Sequence, residues 1–148
     1  MIRPYSGDDK TKLVQLLQLN TPKYFHESEE QDFIEYLDQH VQHYFVVEQA
    51  GVILASGGIN YVENGRIARI SWDLVHPNYQ GQGIGRELTQ YRIDLIKENS
   101  AVEKIVVRTT QLVYKFYQKL GFELVETRKD FWAKGFDLYQ MELPVKRS

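Results

Sequence analysis

The sequence contains no cysteine, which excludes disulfide bonds, thiolate metal ligands and a cysteine nucleophile. It also lacks a basic surplus, since Lys plus Arg number 18 against 20 for Asp plus Glu. We therefore expect no nucleic-acid partner. No apolar run approaches the ~20 residues that a membrane span requires. The N-terminal residues do not read as a signal peptide, so a cytoplasmic protein without a membrane partner is expected.

What is present is typical of one globular domain. The chain has 148 residues, of which 43% are hydrophobic and 26% charged, and this is long enough to bury a core. No repeat, low-complexity tract or Pro/Gly-rich linker divides it. The predicted domain spans residues 1–148.

The spacing of apolar residues predicts an α/β (α+β) fold: a mixed, mostly antiparallel sheet with helices on both faces, in the order β-α-α-β-β-β-α-β-α-β-β. Residues 67–75 alternate with period two, which places Asp73 on the face that carries Arg69 and Ser71. The predicted strands are 2–5, 44–48, 52–61, 67–75, 104–108, 122–127 and 136–143, the second helix is 29–40, and the last helix is capped by Thr109 or Thr110. The strand 136–143 is expected to be an edge that is open to pairing in a homodimer.

The most informative segment is the glycine-rich stretch between strand 67–75 and the helix that follows it. Gly81, Gly83 and Gly85 leave successive backbone N–H groups uncovered, and the helix dipole adds positive potential, so the segment favours a bound phosphate. Arg86, in the first turn, is consistent with a negative ligand. No Gly-Lys-Ser/Thr tripeptide follows, and the sixth position from Gly81 is Arg86, so neither a P-loop nor a dinucleotide fingerprint fits. The alternative is a glycine-rich turn without a ligand.

The run Gln80-Gly81-Gln82-Gly83-Ile84-Gly85 resembles the Gln/Arg-x-x-Gly-x-Gly/Ala signature of the GNAT superfamily of N-acetyltransferases. The resemblance implies that these backbone amides bind the pyrophosphate of coenzyme A, with acetyl-CoA as cosubstrate. It also implies a bulge in the preceding strand, which opens the main chain to the pantetheine arm. The cofactor-binding residues expected on this basis are Leu74, Val75, Gln80, Gly81, Gln82, Gly83, Ile84, Gly85, Arg86, Thr110 and Tyr114.

A second segment, Phe116-Tyr117-Gln118-Lys119-Leu120-Gly121-Phe122, resembles the Tyr-x-Lys-x-Gly-Phe ending of the last GNAT helix. The resemblance implies that the Tyr117 hydroxyl protonates the departing thiolate, a role that suits a positioned acid. The alternative is that Tyr117 is a core aromatic residue. Tyr114 is the rival position, as a packing residue or a cofactor contact. Thr110 and Val113 depart from the Asn and Ala that the family often has at these positions.

The reaction implied is transfer of an acetyl group from acetyl-CoA to a primary amine, with the N–H near Val75 polarising the thioester carbonyl. An amine with a pKa near 10.4 is only roughly one part in a thousand neutral at physiological pH, so a base or a water relay is expected. Asp73 is the candidate base, and Glu48 a weaker one. The alternative for Asp73 is a solvated or ion-paired carboxylate, with Arg69 as the expected partner.

The acceptor pocket is expected between the loop 20–27 and the connection 128–135. Tyr24, Phe25 and Trp132, with Phe131, would give it aromatic walls that suit a small amine or a peptide end. No His pair has metal-ligand spacing, so no metal is expected. Two alternatives stay open: a non-catalytic, coenzyme A-binding regulatory module, and an acyltransferase that moves another acyl group or acylates a hydroxyl.

Overall fold

A computed structural model describes residues 1–145 of the chain. The predicted domain, 1–148, extends three residues beyond this range. Within it, the helices are α1 (Lys10–Leu19), α2 (Glu29–Glu35), α3 (Ile84–Lys97) and α4 (Tyr114–Lys119). The strands are β1 (Ile2–Pro4), β2 (His43–Gln49), β3 (Val52–Val62), β4 (Ile67–Val75), β5 (Lys104–Thr109), β6 (Glu123–Ala133) and β7 (Phe136–Pro144). A π-helical turn, Tyr36–His40, extends α2 to the predicted end of the second helix.

The strands form one sheet in the order β1-β2-β3-β4-β5-β7-β6. Every described neighbour pair is antiparallel except β4 and β5, which are parallel. The loop 63–66 joins β3 to β4 as a hairpin, and Glu63, Asn64 and Gly65 all have positive φ. The predicted fold class and element order are confirmed.

The two faces of the sheet bury separate hydrophobic cores. One core lies under α3 and α4 and contains Ile70, Leu88, Ile105, Tyr117 and Met141. The other lies under α1 and α2, where the leucines of α1 pack with aromatic residues of α2 and β2. Helices therefore cover both faces of the sheet. A gap between two strands of the sheet can be reached from either of these faces.

A β-bulge interrupts β4 near its end. Ser56 pairs with Leu74 but Gly58 pairs with Ser71, so β4 has one more residue than β3 across this interval. Trp72 accordingly has a φ of +51°. The described pairing of β4 with β5 runs from Ile67 to Ile70 and goes no further. The two central strands therefore separate beyond Ile70, and this separation creates the cleft described below.

Three local predictions are wrong. The edge strand at this end of the sheet is β6, because β7 lies between β5 and β6, so the edge proposed at 136–143 is interior. The connection expected at 128–135 is mostly strand, since β6 continues to Ala133 and only a tight turn at Lys134-Gly135 separates it from β7. The cap expected at Thr109 or Thr110 is also misplaced, because α4 begins at Tyr114.

Within residues 1–145, no helix combines the length and the apolar composition that crossing a membrane would require. The same range contains no cluster of three or more His, Asp or Glu side chains that could hold a metal ion.

Candidate active site

A cavity of about 880 Å³ opens where β4 and β5 separate. Its walls come from the loop after α1, the bulged half of β4, the glycine-rich start of α3, and the ends of β5 and α4. The predicted site residues that line it are Tyr24, Phe25, Asp73, Leu74, Val75, Gln80, Gly81, Gly83, Ile84, Gly85, Arg86, Thr110, Tyr117 and Trp132. Gln82 and Tyr114 are not among the lining residues of the described chain.

The glycine-rich segment has the geometry of an open helix start. Gly81 and Gly83 have φ near +80°, and no atom lies within 4 Å of a Cβ built on either, so both glycines serve the turn and leave its surface open. At Gly85 the glycine is required by close packing, because an added Cβ would lie 3.3 Å from Val75 Cγ2. The first N–H groups of α3 have no partner inside the helix and face this opening. Arg86 is exposed beside them, so positive potential is concentrated at one end of the cavity.

At the centre of the cavity, three side chains from three elements form a hydrogen-bonded chain. Arg92 of α3 donates from Nη1 to Asp73 Oδ1 at 2.6 Å and from Nη2 to Asp73 Oδ2 at 3.0 Å. The Tyr117 hydroxyl of α4 donates to Asp73 Oδ2 at 2.5 Å. The Arg92 side chain is 1% exposed and that of Asp73 is 19% exposed, so this is a desolvated ion pair with a phenol attached.

The remaining donors of Arg92 are also satisfied. Its Nη1 bonds Gly58 O at 3.1 Å, its Nε bonds Leu88 O at 3.3 Å, and its Nη2 bonds Thr89 Oγ1 at 3.2 Å. Together with the two bonds to Asp73, all five N–H donors of the guanidinium have acceptors. A fully satisfied guanidinium holds its carboxylate partner rigidly, so the position of Asp73 is fixed by α3.

Burial raises the pKa of Tyr117 well above its ordinary value, and the charge and hydrogen bond of Asp73 raise it further, while Arg92 opposes the effect. The phenol is therefore protonated throughout the physiological pH range. In this state it is available as a proton donor, and Arg92 is placed to stabilise negative charge that develops on its oxygen.

Asp73 is ion-paired, as one of the alternatives predicted, but its partner is Arg92 and not Arg69, and the bulge explains why. A regular strand would keep Asp73 on the face of Arg69 and Ser71. The extra residue near Trp72 reverses the alternation, so Asp73 turns to the core that contains α3 and α4. Trp72 moves to the opposite face, where it packs against Phe33 with ring centroids 5.0 Å apart.

Sequence reasoning missed Arg92, although two signals for it exist. Arg92 lies four residues after Leu88 on the buried stripe of an amphipathic helix, where an arginine needs an acidic partner. Gly57, in the middle of β3, is the second signal. A Cβ there would clash with Asp73 Oδ1 and come within 2.6 Å of Arg92 Nη1. The strand needs a glycine at this position because the ion pair occupies the space.

The main chain of β4 presents a donor to the cleft. The N–H of His76 bonds Leu54 O of β3 at 2.8 Å. Hydrogen-bonded pairs alternate in an antiparallel ladder, so the N–H of Leu74 also faces β3 and that of Val75 faces the cleft. The carbonyl of Val75 accepts from Asn20 Nδ2 at 3.2 Å, and this bond fixes the orientation of the strand end.

The two predicted contacts at the start of α4 differ. Thr110 lines the cavity, and its Oγ1 accepts from the N–H of Leu112 at 3.2 Å. Tyr114 packs on Tyr139 with ring centroids 4.8 Å apart and does not line the cavity, which favours its packing role. Glu48, the weaker candidate base, bonds Arg3 at 3.2 Å and is absent from the described lining of the cavity.

The three predicted acceptor residues all line the cavity. Phe25 stacks on Trp72 at 6.2 Å, and Trp132 Nε1 donates to Thr109 O at 3.2 Å, so both rings are held in place. The Tyr24 hydroxyl donates to Gln80 Oε1 at 3.3 Å, which joins the loop after α1 to the glycine-rich segment. Phe131 is 40% exposed and is not among the described lining residues.

The protein is a mixed α/β protein whose sheet opens into a large cavity, and clefts of this kind are common positions for ligand sites. The profile of the family described as Acetyltransferase (GNAT) family matches residues 11–122. Over 92 residues, 62% of its length, the chain is 29% identical to an amino-acid acetyltransferase of Pasteurella multocida. Over 105 residues, 67% of its length, it is 30% identical to the N-alpha-acetyltransferase RimI of Mycobacterium tuberculosis.

The chain spans about a fifth of the length of the Pasteurella relative, 20%, and 64% of the Mycobacterium one. Among solved structures it is similar to an aminoglycoside 6'-N-acetyltransferase complexed with coenzyme A, with a TM-score of 0.80 at 14% identity, over 100% of this chain and 98% of the other. The chain belongs to the GNAT family of acetyltransferases, which confirms the resemblance noted in the sequence.

Proposed function

We propose that the protein is an N-acetyltransferase that moves the acetyl group of acetyl-CoA to a primary amine of a small molecule or a peptide. One observation carries the proposal. The Tyr117 hydroxyl, held by Asp73, lies in the same cavity as the glycine-rich start of α3, so a proton donor and an anion site share one cleft.

In this proposal the cofactor lies along the opened edge of β4. The free N–H groups at the start of α3, with Arg86 nearby, bind the pyrophosphate. The main chain of Leu74 and Val75 contacts the pantetheine arm and the acetyl group. The cleft-facing N–H of Val75 then donates to the thioester oxygen, where negative charge develops during attack.

The chemical step is a direct displacement. The lone pair of the neutral amine attacks the thioester carbonyl carbon, and the carbon–sulfur bond breaks as the amide forms. The departing sulfur takes the proton of the Tyr117 hydroxyl and leaves as the thiol of coenzyme A. The nitrogen loses one proton, so the products are the acetylated amine and free coenzyme A.

Asp73 acts in this scheme as a relay and not as an isolated base. Its carboxylate already accepts hydrogen bonds from Arg92 Nη1, Arg92 Nη2 and the Tyr117 hydroxyl. Its Oδ2 is bonded to the Tyr117 oxygen. A proton released by the amine can therefore pass through Asp73 to the phenolate, and this transfer restores Tyr117 for the next turnover.

The test is release of free thiol from acetyl-CoA in the presence of a panel of small amines and peptides. We expect amine-dependent release by the wild type and a decrease in kcat of about 10²- to 10⁴-fold in Tyr117→Phe, because a general acid contributes on that scale. Tyr91→Phe is the matched control, since this ring packs on Phe45 and is not among the described residues that line the cavity, and it should keep wild-type rates.

Other results would redirect the proposal. Tight binding of acetyl-CoA without release for any amine would favour a coenzyme A-binding regulatory module. Faster release from a longer acyl-CoA, or with an alcohol as acceptor, would favour a different acyl transfer. Equal rates in Tyr117→Phe and the wild type would remove Tyr117 from the mechanism.

Two further expectations from the sequence stay predictions. Cell fractionation would test the cytoplasmic location. Sedimentation would test the homodimer, and the strands at the edges of the described sheet are β1 and β6, whereas β7 is interior.

A further inference from the structure

Two arginines that have no acidic partner line the cavity on the side where the amine acceptor is expected. Arg69 of β4 and Arg108 of β5 both contribute to its wall. Neither forms a salt bridge with any residue in the range 1–145. The two strands are still paired at Ile70–Val107, so these arginines flank the point where the sheet begins to open.

Arg69 has an unmet donor. Its Nε is buried and has no hydrogen-bond partner among the described residues. A buried N–H without an acceptor is unfavourable, and native structures contain few of them. An unpartnered donor on a cavity wall indicates that a ligand supplies the acceptor.

Arg108 is held in place by aromatic rings and not by a carboxylate. Its guanidinium lies 5.1 Å from the centroid of Phe131 and 5.7 Å from that of Trp132. Stacking of this kind covers the face of the guanidinium and leaves the N–H edge free. Burial lowers the pKa of Arg108, as do the nearby charges of Arg69 and Arg128. The folded chain thus holds positive charges close together without neutralising them.

Glu29, Asp32 and Asp73 line the same cavity, and no salt bridge within residues 1–145 joins any of them to Arg69 or Arg108. Asp73 is paired with Arg92, and Glu29 Oε2 accepts from the backbone N–H of His26 at 2.9 Å. Glu126 lies near Arg108, but its carboxylate bonds Arg128 at 3.0 Å. The charge of Arg69 and Arg108 is therefore available to an incoming anion.

We propose that Arg69 and Arg108 bind a carboxylate of the acceptor, so that the substrate is an amine that also carries a carboxylate. The inference rests on the proposed acetyl transfer and names the acceptor class. A free amino acid and a peptide with an acidic residue near its amino end share this chemistry.

The distances along β4 suit such an acceptor. Arg69 precedes Asp73 by four residues, one of which is the extra residue of the bulge, so they are about 10 Å apart along the strand at ~3.3 Å per residue. Two arginine side chains and an amino acid can together cover that distance. The acceptor would then enter from the face of Arg69, opposite the face that carries α3.

The experiment compares carboxylate acceptors with their neutral counterparts. Free amino acids, their α-amides and short peptides with Glu or Gln near the amino end are titrated calorimetrically into the protein saturated with coenzyme A. The same compounds are then assayed for thiol release. We expect each carboxylate compound to bind about 10- to 100-fold more tightly than its amide, because hydrogen bonds to charged groups contribute on that scale.

Arg69→Gln and Arg108→Gln should abolish this preference and leave the KM of acetyl-CoA unchanged, while the corresponding lysine variants should retain part of it. Arg66→Gln is the control, because Arg66 is an arginine outside the lining of this cavity that pairs with Glu103, and it should keep the preference. The set of preferred compounds distinguishes a free amino acid from an acidic peptide.

Two results overturn the inference: equal binding of carboxylates and amides by the wild type, or a raised KM for acetyl-CoA in the arginine variants. Preferential binding of carboxylates without thiol release would support the anion site while contradicting the proposed transfer, so the two failures are distinguishable.

Discussion

Two arginine sites border one cleft, and they differ in how completely the folded chain satisfies them. Arg92 has an acceptor for every N–H, and Asp73 neutralises its charge. Arg69 has a buried donor without a partner, and Arg108 has aromatic neighbours in place of a counterion. An arginine whose N–H donors are all satisfied within the protein holds its partner in position, whereas an arginine with unsatisfied donors is suited to bind a ligand. On this basis Arg92 belongs to the machinery that holds Asp73, and Arg69 with Arg108 belongs to recognition.

The largest effect is expected from a substitution that breaks the ion pair of Arg92 and Asp73. Arg92→Met should lower the free energy of unfolding by about 3–5 kcal/mol, because it leaves the Asp73 carboxylate without its buried partner. Urea denaturation followed by circular dichroism measures the change. The double variant Arg92→Met/Asp73→Asn should regain most of the loss, since it contains no uncompensated charge. A loss below ~1 kcal/mol in the single variant would show that the ion pair is not the structural element described above.

A smaller effect tests the space around the complete site. Gly57→Ala places a Cβ against Asp73 and Arg92, so we expect a loss of about 1–3 kcal/mol in the free energy of unfolding. Gly7→Ala is the control: no atom lies within 4 Å of its added Cβ, and its φ is not in the left-handed region. Equal stability of the two variants in urea denaturation would mean that the ion pair can move aside.

The smallest effect on the free energy of unfolding is expected from a substitution of Arg108, which has no counterion. The pKa of Arg108 is lowered by burial and by neighbouring positive charge, so the folded state disfavours its charged form. At neutral pH the arginine is charged in both states, and folding therefore bears this unfavourable interaction. Arg108→Gln should keep the free energy of unfolding within about 0.5 kcal/mol of the wild type, or raise it. A loss above ~2 kcal/mol would assign Arg108 to the structural core of the protein.

The sequence predicted the features that repeat with a regular period or depend on glycine. The element order, the family and the position of the glycine-rich helix start are confirmed. The roles assigned to Tyr117 and the cofactor-binding residues stay predictions, although most of these residues line one cavity.

The errors come from features that local patterns do not record. A bulge changes which face a residue occupies without changing its type, so alternation placed Asp73 on the face of Arg69, whereas its partner, Arg92, lies on the opposite face. The segment 128–135 is predicted as a connection, but its charged start, Arg128-Lys129-Asp130, is equally typical of an exposed edge strand, and β6 is exposed along most of its length. In both cases tertiary pairing decided the outcome.

The bulge in β4 also makes this segment sensitive to its length. Deleting Trp72 would pair Asp73 directly with Gly57 and restore the regular ladder, while Asp73, Leu74 and Val75 would keep their present faces. The deletion would instead remove the residue with positive φ, which lies where β4 departs from β5. A substitution at one of these positions changes a single side chain, whereas this deletion is expected to close the cleft along the end of the strand. Within this family, insertions and deletions are therefore expected in the turns around β4 and not between Ser71 and Val75.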